Sequence, residues 1–219
     1  MHLPFADRAE AGRLLADRLA ALGLRGPVVL ALPRGGVPVG FEVAGRLSTP
    51  DAAAAFDVLV TRKIGYPLQP ELGVGAIAEG GEPVLDLPLL ERLGLSPADL
   101  IQTVGSERAE MDRRIAVYRD RRPLPDLAGR PVIVVDDGLA TGGTARAALR
   151  AVRSRGPARL ILAVPVGAAE TVAAMREEAD DVVVLAEPHR FRAVGQWYSH
   201  FDQLTDDDVL RLLERAGVK

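Results

Sequence analysis

Apolar residues follow two rhythms along this chain. Short runs of β-branched and aliphatic residues occur at Val28–Leu32, from Phe56 to Val60, at Val132–Val135, at Leu160–Val166 and at Asp181–Leu185, each compact enough for a strand buried on both faces. Between them lie stretches with helical spacing. Asp7 to Leu22 places Leu14, Leu15, Leu19 and Leu22 on one face before Gly23 and Gly26-Pro27 stop it. Further helices are expected from Val37 to Leu47, from Ala145 to Arg153, from Ala169 onward, and from the capping pattern Thr205-Asp206-Asp207-Asp208 to the end. Strands alternating with helices predict an α/β fold with a mostly parallel central sheet flanked by helices. We read one domain, with a core of about 25–80 and 130–187, a helical insertion of about 81–129 and a C-terminal appendage of about 188–219.

In the insertion, Ser96-Pro97-Ala98-Asp99 supplies an N-cap, a proline at the first helical position and an acid at the third, so one or two helices belong there. Its second half carries Arg108, Arg113, Arg114, Arg119, Arg121 and Arg122, interleaved with Glu107, Glu110, Asp112 and Asp120. That interleaving suits a solvated face; the competing reading is an anion-contacting lid using Tyr118 and Arg119. After Glu187-Pro188 the aromatic residues Phe191, Trp197, Tyr198 and Phe201 cluster in a chain that is only 4% aromatic, which fits either core packing or the stacking of a planar ligand. His189 and His200 have no partners at metal-ligand spacing and read as surface or hydrogen-bonded residues.

Composition narrows the classes. With 219 residues, 48% apolar and 26% charged, there is enough chain for a sizeable core. A net charge of −3 argues against a nucleic-acid or anionic-membrane partner, and no apolar run is long enough for a membrane span. The start, Met1 to Arg8, lacks the basic end and apolar centre of a signal peptide, so a cytoplasmic location is expected. Without cysteine, neither disulfides nor thiol chemistry can contribute.

The chemistry is concentrated in Asp136-Asp137-Gly138-Leu139-Ala140-Thr141-Gly142-Gly143-Thr144, directly after the Val132–Val135 strand. Two carboxylates stand at the strand's carboxyl end. The glycines and threonines that follow let the backbone turn tightly and aim N–H groups and hydroxyls at one anion, and the next helix points its positive end at the same place. Carboxylates beside a phosphate cradle need other partners, and sugar hydroxyls or a ligand-borne cation would serve. A ribose 5-phosphate meets both requirements. A Walker loop is excluded because no lysine lies near Gly142-Gly143-Thr144; Gly73-Val74-Gly75-Ala76-Ile77-Ala78 matches a dinucleotide fingerprint only formally, since it lacks the strand-then-helix frame.

The stretch Val132 to Thr144 resembles the signature of type I phosphoribosyltransferases, which use 5-phosphoribosyl-1-pyrophosphate (PRPP). The resemblance implies that Asp136 and Asp137 hold the ribose hydroxyls while Gly138, Ala140, Thr141, Gly142, Gly143 and Thr144 wrap the 5-phosphate. It implies a pyrophosphate loop at Arg34, Gly35 and Gly36 after the Val28–Leu32 strand, often with an unusual cis peptide, where glycine would tolerate a strained backbone and arginine would offer a fork of donors. A basic pair, Arg62 and Lys63, would end the next strand and contact the pyrophosphate. Lys63 stands out because the only other lysine is the terminal Lys219. Tyr66 to Glu71 would begin a mobile loop, and the segment after 187 would form a variable hood.

The implied reaction is displacement of pyrophosphate from C1 of PRPP by a nitrogenous acceptor, with Mg²⁺ arriving on PRPP and no direct protein ligand. Asp136, Asp137 and Glu79 are the catalytic candidates, with Glu71 the alternative to Glu79 as a carboxylate toward the acceptor. Ala140 stands where hypoxanthine-guanine enzymes carry an aspartate, which is closer to adenine-type loops, so a nucleobase, purine favoured, is the expected acceptor. The expected partners are PRPP and a small-molecule acceptor, with a homodimer as the expected assembly. A sensor of PRPP with the same fold and no catalysis is the alternative; the net acidic charge and the retained pyrophosphate elements favour the enzyme.

Overall fold

The computed structural model describes residues 3–120 and 122–218; Met1, His2, Arg121 and Lys219 lie outside the described residues. Its centre is a five-stranded, all-parallel sheet of order β2-β1-β6-β7-β8, formed by β1 (Val28–Ala31), β2 (Ala55–Val58), β6 (Pro131–Val135), β7 (Arg159–Val166) and β8 (Asp181–Ala186). These are the runs that the apolar pattern predicts. Alternation along them divides the core into two layers. Val29, Ala31, Ile133, Val135, Ile161 and Ala163 face one side, and Val28, Leu30, Val132, Val134, Leu160 and Leu162 the other.

Helices cover both faces. α1 (Arg8–Ala20) and α2 (Gly36–Leu47) bring Leu15, Leu19, Val39 and Val43 to the first layer, and α5 (Gly143–Arg153) and α6 (Ala169–Met175) bring Ala148, Leu149, Val152, Val172 and Met175 to the second. Burial of such runs stabilises the fold at roughly 25 cal/mol per Å² of apolar surface removed from water.

The structure departs from the sequence reading beyond Leu59. Residues 61–85 form a separate antiparallel sheet, β3 (Thr61–Tyr66), β4 (Gln69–Ala78) and β5 (Val84–Leu85), and Tyr66 to Glu71 is the turn of a tight hairpin instead of the start of a loop. The glycines that hide this strand from an apolar-pattern reading are needed for space. A Cβ at Gly73 would overlap the Lys63 side chain, and one at Gly75 would stand 2.6 Å from the Val84 carbonyl oxygen. Gly73 therefore lies within a strand, with no helix after it, as expected of a chance fingerprint match.

The insertion is helical as expected, with α3 (Leu87–Arg92), a 3-10 turn at Pro97–Leu100 capped by Ser96 and Asp99, and α4 (Ile101–Arg119). Leu90, Leu100, Met111 and Tyr118 join the first core layer, so the insertion is packed into the same core as the sheet. α7 (Asp206–Arg215) closes the chain, capped by Thr205 and Asp208, and also buries Val209 and Leu213 there.

Ile133 lies fully buried on the central strand β6, between β1 and β7. Ile133→Ala is expected to cost about 2–5 kcal/mol of stability, measured by urea denaturation with an unchanged m-value; a loss below about 1 kcal/mol would contradict this packing.

Candidate functional site

The acid pair stands where β6 ends, at the carboxyl edge of the sheet, the usual ligand side of such folds. Asp136 Oδ1 accepts a hydrogen bond from the Asp137 N–H at 2.9 Å. Burial raises the Asp136 carboxyl well above the ordinary carboxylate range, and the adjacent Asp137 charge adds to the shift. Burial also raises Asp137, opposed by the guanidinium of Arg8, whose Nε–H donates to Asp137 Oδ2 at 2.8 Å.

The next turn is pinned from behind. Leu139 exchanges backbone bonds with Val166 and Ala168 at 2.9 Å, and Thr171 Oγ1 donates to the Ala140 carbonyl at 2.6 Å. Gly142 takes the left-handed conformation, φ 76°, that starts α5 at Gly143. The first bond into the helix runs from the Arg146 N–H to the Gly142 carbonyl at 2.8 Å. The N–H groups of Gly143, Thr144 and Ala145 therefore face outward without helical acceptors, at the positive end of the helix. Backbone N–H groups in this arrangement are able to receive an anion, the chemistry expected of a cradle.

The loop after β1 meets the acid pair edge-on, and the Pro33–Arg34 peptide is cis. Gly35 has an ordinary φ of −61°, so glycine is present for a different reason from the conformational one expected. A Cβ at Gly35 would overlap the Asp137 carboxylate, and one at Gly36 would come 2.6 Å from the Val135 carbonyl oxygen and 2.9 Å from Asp136 Cα. The two glycines let the two loops touch. Arg34 lies 3.9 Å from Asp206, whose Oδ1 accepts the Tyr118 hydroxyl at 2.5 Å.

The basic pair separates, because neighbouring residues of a strand point to opposite faces. Arg62 turns to α4, where its Nε–H donates to Glu107 at 2.7 Å. Lys63 turns toward α5 and lines a recess of about 290 Å³ with Thr141, Gly143, Thr144 and Arg146, while its Nζ donates to the Glu71 carbonyl. Lys63 is thus beside the anion cradle and apart from Arg34. Glu79 is one half of an ion pair with Arg119, whose side chain is fully buried, so its carboxylate is committed to a structural partner and not presented to an acceptor. Tyr118 and Arg119 accordingly belong to the interior and not to a lid; Arg122 holds the buried Asp57 at 2.7 Å. Arg113 and Arg114 both pair with Glu110 on the outer side of α4, as a solvated face should.

The segment after β8 folds back over the acids. The aromatic residues pack mainly on one another, with Phe5 and Tyr198 centroids 5.6 Å apart and Phe191 stacked on Trp197 at 6.3 Å. The Tyr198 hydroxyl donates to the Asp137 carbonyl at 2.6 Å. Phe201, partly exposed, borders a second recess of about 370 Å³ with Arg8, Arg34, Gly35, Asp137 and Asp202. His200 Nδ1 lies 3.2 Å from the Ala6 carbonyl oxygen and His189 is exposed, the surface roles expected of both. The sequence reading missed Arg8, Arg146, Thr171 and the part played by Asp206 beyond its helix cap, and it named Tyr198 only as an aromatic, without its bond to the Asp137 carbonyl. For Arg146 a signal existed, since it follows the cradle by one residue.

Among the described residues no three His, Asp or Glu side chains converge on a metal-sized point. The donor set here, one carboxylate pair with its backbone glycines, suits a cation carried in by ligand oxygens. Also among the described residues, no helix is long and apolar enough to cross a membrane.

A strand-end acid pair, a backbone anion cradle and a glycine loop against the acids define a phosphosugar-binding class of α/β protein. A family model described as "Phosphoribosyl transferase domain" matches residues 6–198, and the chain belongs to that family. The Mycobacterium tuberculosis H37Rv protein called "Putative phosphoribosyl transferase Rv0571c" is 47% identical over 212 residues, covering 97% of this chain and 47% of that protein. The chain thus spans about half the length of this relative. A uracil phosphoribosyltransferase of Lactobacillus gasseri is 34% identical over 141 residues, 59% of this chain and 62% of that enzyme. The crystal structure of TT1426 from Thermus thermophilus superposes with a TM-score of 0.81 at 43% identity, covering 97% of this chain and 99% of that one.

The divided basic pair gives a direct test. With PRPP and Mg²⁺ titrated by calorimetry, Lys63→Ala is expected to weaken binding roughly tenfold, about 1.4 kcal/mol. Arg62→Ala is expected to stay within about twofold of wild type while lowering the thermal midpoint. Equal losses of affinity would mean that the two cations act together.

Proposed function

We propose that this protein transfers the 5-phosphoribosyl group of PRPP to a nitrogen of a nucleobase and releases pyrophosphate. The observation that carries the reading is the contact between the two loops, which sets the Gly35–Gly36 backbone against the Asp136–Asp137 carboxylates with the anion cradle in the same turn. The 5-phosphate would lie on the N–H groups from Thr141 to Ala145, with Lys63 and Arg146 adding positive charge at its edge. The carboxylates of Asp136 and Asp137 would accept hydrogen bonds from the ribose hydroxyls. The pyrophosphate would take the Arg34–Gly36 loop, with the Arg34 guanidinium exchanging Asp206 for phosphate oxygens.

Mg²⁺ arriving with the donor, for which no protein ligand is assigned among the described residues, would supply charge neutralisation for the leaving group. The C1–oxygen bond breaks toward pyrophosphate, the new bond forms from the acceptor nitrogen to C1, and the proton lost by the base passes to the departing pyrophosphate. The carboxylate pair steadies positive charge developing on the ribose ring, and Arg34 steadies the negative charge on the departing group. Water exclusion comes from the hood, whose Tyr198 and Phe201 lie beside Asp137. The acceptor enters through the recess bordered by Phe201 and Asp202. Glu79 takes no part in this scheme, because its carboxylate is held by Arg119. Ala140 in the cradle favours a purine. The uracil specificity named for the Lactobacillus gasseri relative makes pyrimidines the necessary comparison.

Purine and pyrimidine bases are to be screened with PRPP and Mg²⁺ by pyrophosphate release, wild type beside Asp137→Ala. Turnover with at least one base, lowered a hundredfold or more in the variant (at least about 2.7 kcal/mol), is expected. No turnover with any base, together with unchanged PRPP binding in the variant, would sink both the activity and the site; binding without turnover would instead mark a sensor. PRPP affinity should also decline as pH falls, beginning above the ordinary carboxylate midpoint of about 4, since burial raises both acids and the protonated forms no longer accept from hydroxyls.

A further inference from the structure

The acid pair is held by a residue from the far end of the chain. Arg8 opens α1, 129 residues before Asp137, and its guanidinium makes three contacts. Nε–H donates to Asp137 Oδ2 at 2.8 Å, an NH1 proton goes to the Asp202 carbonyl at 3.0 Å, and Cζ sits 3.8 Å from the centroid of the Phe201 ring. Phe201 in turn stacks on Tyr198 at 5.1 Å, and the Tyr198 hydroxyl holds the Asp137 carbonyl. Asp137 is therefore gripped at its carboxylate from α1 and at its backbone from the hood. The pair is 11% and 13% exposed, unlike the solvent-facing Arg46–Asp17 pair at 61% and 65%, so solvent screening leaves much of its strength intact. The Arg8 bond is to Oδ2, on the carboxylate that borders the recess shared with Arg34 and Gly35.

We propose that Arg8 is a positioning residue for the transfer reaction, holding Asp137 ionised and turned toward the ribose hydroxyls, with Phe201 and the Asp202 carbonyl fixing its own guanidinium. The inference rests on the donor site assigned above. The charged and titratable groups around Asp137 are Asp136 from the same strand end, Arg34 from the loop after β1, Asp202 and Tyr198 from the hood, and Arg8 from α1. Asp136 and Asp202 would oppose a charge on Asp137, Tyr198 is neutral and pushed further up by burial, and Arg34 lies against Asp206. Arg8 is the cation in direct contact with Asp137 among the described residues. Its loss would leave two adjacent, desolvated carboxylates to share charge unaided. One would take up a proton, and a protonated Asp137 would present a donor where the ribose needs an acceptor.

The test follows the Asp137 carboxyl carbon by ¹³C NMR titration in the full chain, for wild type, R8Q, R8K and F201L, beside calorimetric PRPP·Mg²⁺ affinity across pH. In R8Q the Asp137 midpoint is expected to rise by about 1–3 pH units, with the acid limb of PRPP affinity moving by the same amount. R8K should restore most of both. F201L keeps the charge and loosens the clamp, so a several-fold weaker affinity with a smaller midpoint shift is expected, and it carries the comparison if R8Q does not fold. A folded R8Q with an unmoved Asp137 midpoint, or an F201L indistinguishable from wild type where R8Q is unfolded, would overturn the proposal. The titration needs no ligand. A moved midpoint in a protein that does not bind PRPP would remove the donor assignment and leave the Arg8 coupling, whereas normal binding with an unmoved midpoint would remove the coupling alone.

Discussion

Two neighbouring carboxylates, taken out of water at the end of the central strand, are the constraint around which the rest of the site is arranged. A buried acid pair is unfavourable in its charged form, and each surrounding element answers that cost. The Asp137 N–H bonds back to Asp136 and Arg8 supplies a full positive charge, while the Tyr198 hydroxyl fixes the backbone between them at the Asp137 carbonyl. The sign of the linkage follows. An acid whose folded-state pKa is raised above its unfolded value contributes stability that is complete at low pH and is lost as pH rises through the folded value. Ionising the pair in the free fold therefore costs stability, and Arg8 is the contact that offsets part of that cost.

The loops are placed by elements whose sole task is support. Thr171 on α6 holds the Ala140 carbonyl, and Leu139 is bonded to both ends of the β7–α6 turn, so the turn that starts α5 is fixed from behind by the protein itself. On the opposite side, Asp206 at the start of α7 takes both Arg34 and Tyr118, which joins the loop after β1 to the helical insertion and the last helix at one carboxylate. The insertion and α7 share the first core layer, whereas the aromatic residues Phe191, Trp197 and Tyr198 after β8 pack in a separate cluster with Phe5, Ala11 and Val166.

Much of this was legible in the sequence because it is local. Five apolar runs and the helical spacing between them give the parallel sheet, and Asp136 to Thr144 declares its chemistry within nine consecutive residues. The antiparallel hairpin was not legible, since Pro70, Gly73 and Gly75 break the apolar alternation, and the two glycines are present to leave room for Lys63 and Val84. Once 61–66 is known to be a strand, the separation of Arg62 from Lys63 follows from the two-residue period alone. Gly35 and Gly36 were found for the wrong reason, being required by proximity to the acids and not by backbone angle. Arg8 had no local signal at all, because a salt bridge spanning 129 residues leaves no trace in spacing.

That long span has a further consequence for how the protein is made. On the ribosome, β6 emerges before β7 and β8, the strands that complete its side of the sheet, and the hood that clamps Arg8 emerges later still. A chain that has emerged only as far as β6 carries the nine-residue motif without the Arg8, Tyr198 and Thr171 contacts that fix it, because each of those closes over a long sequence separation.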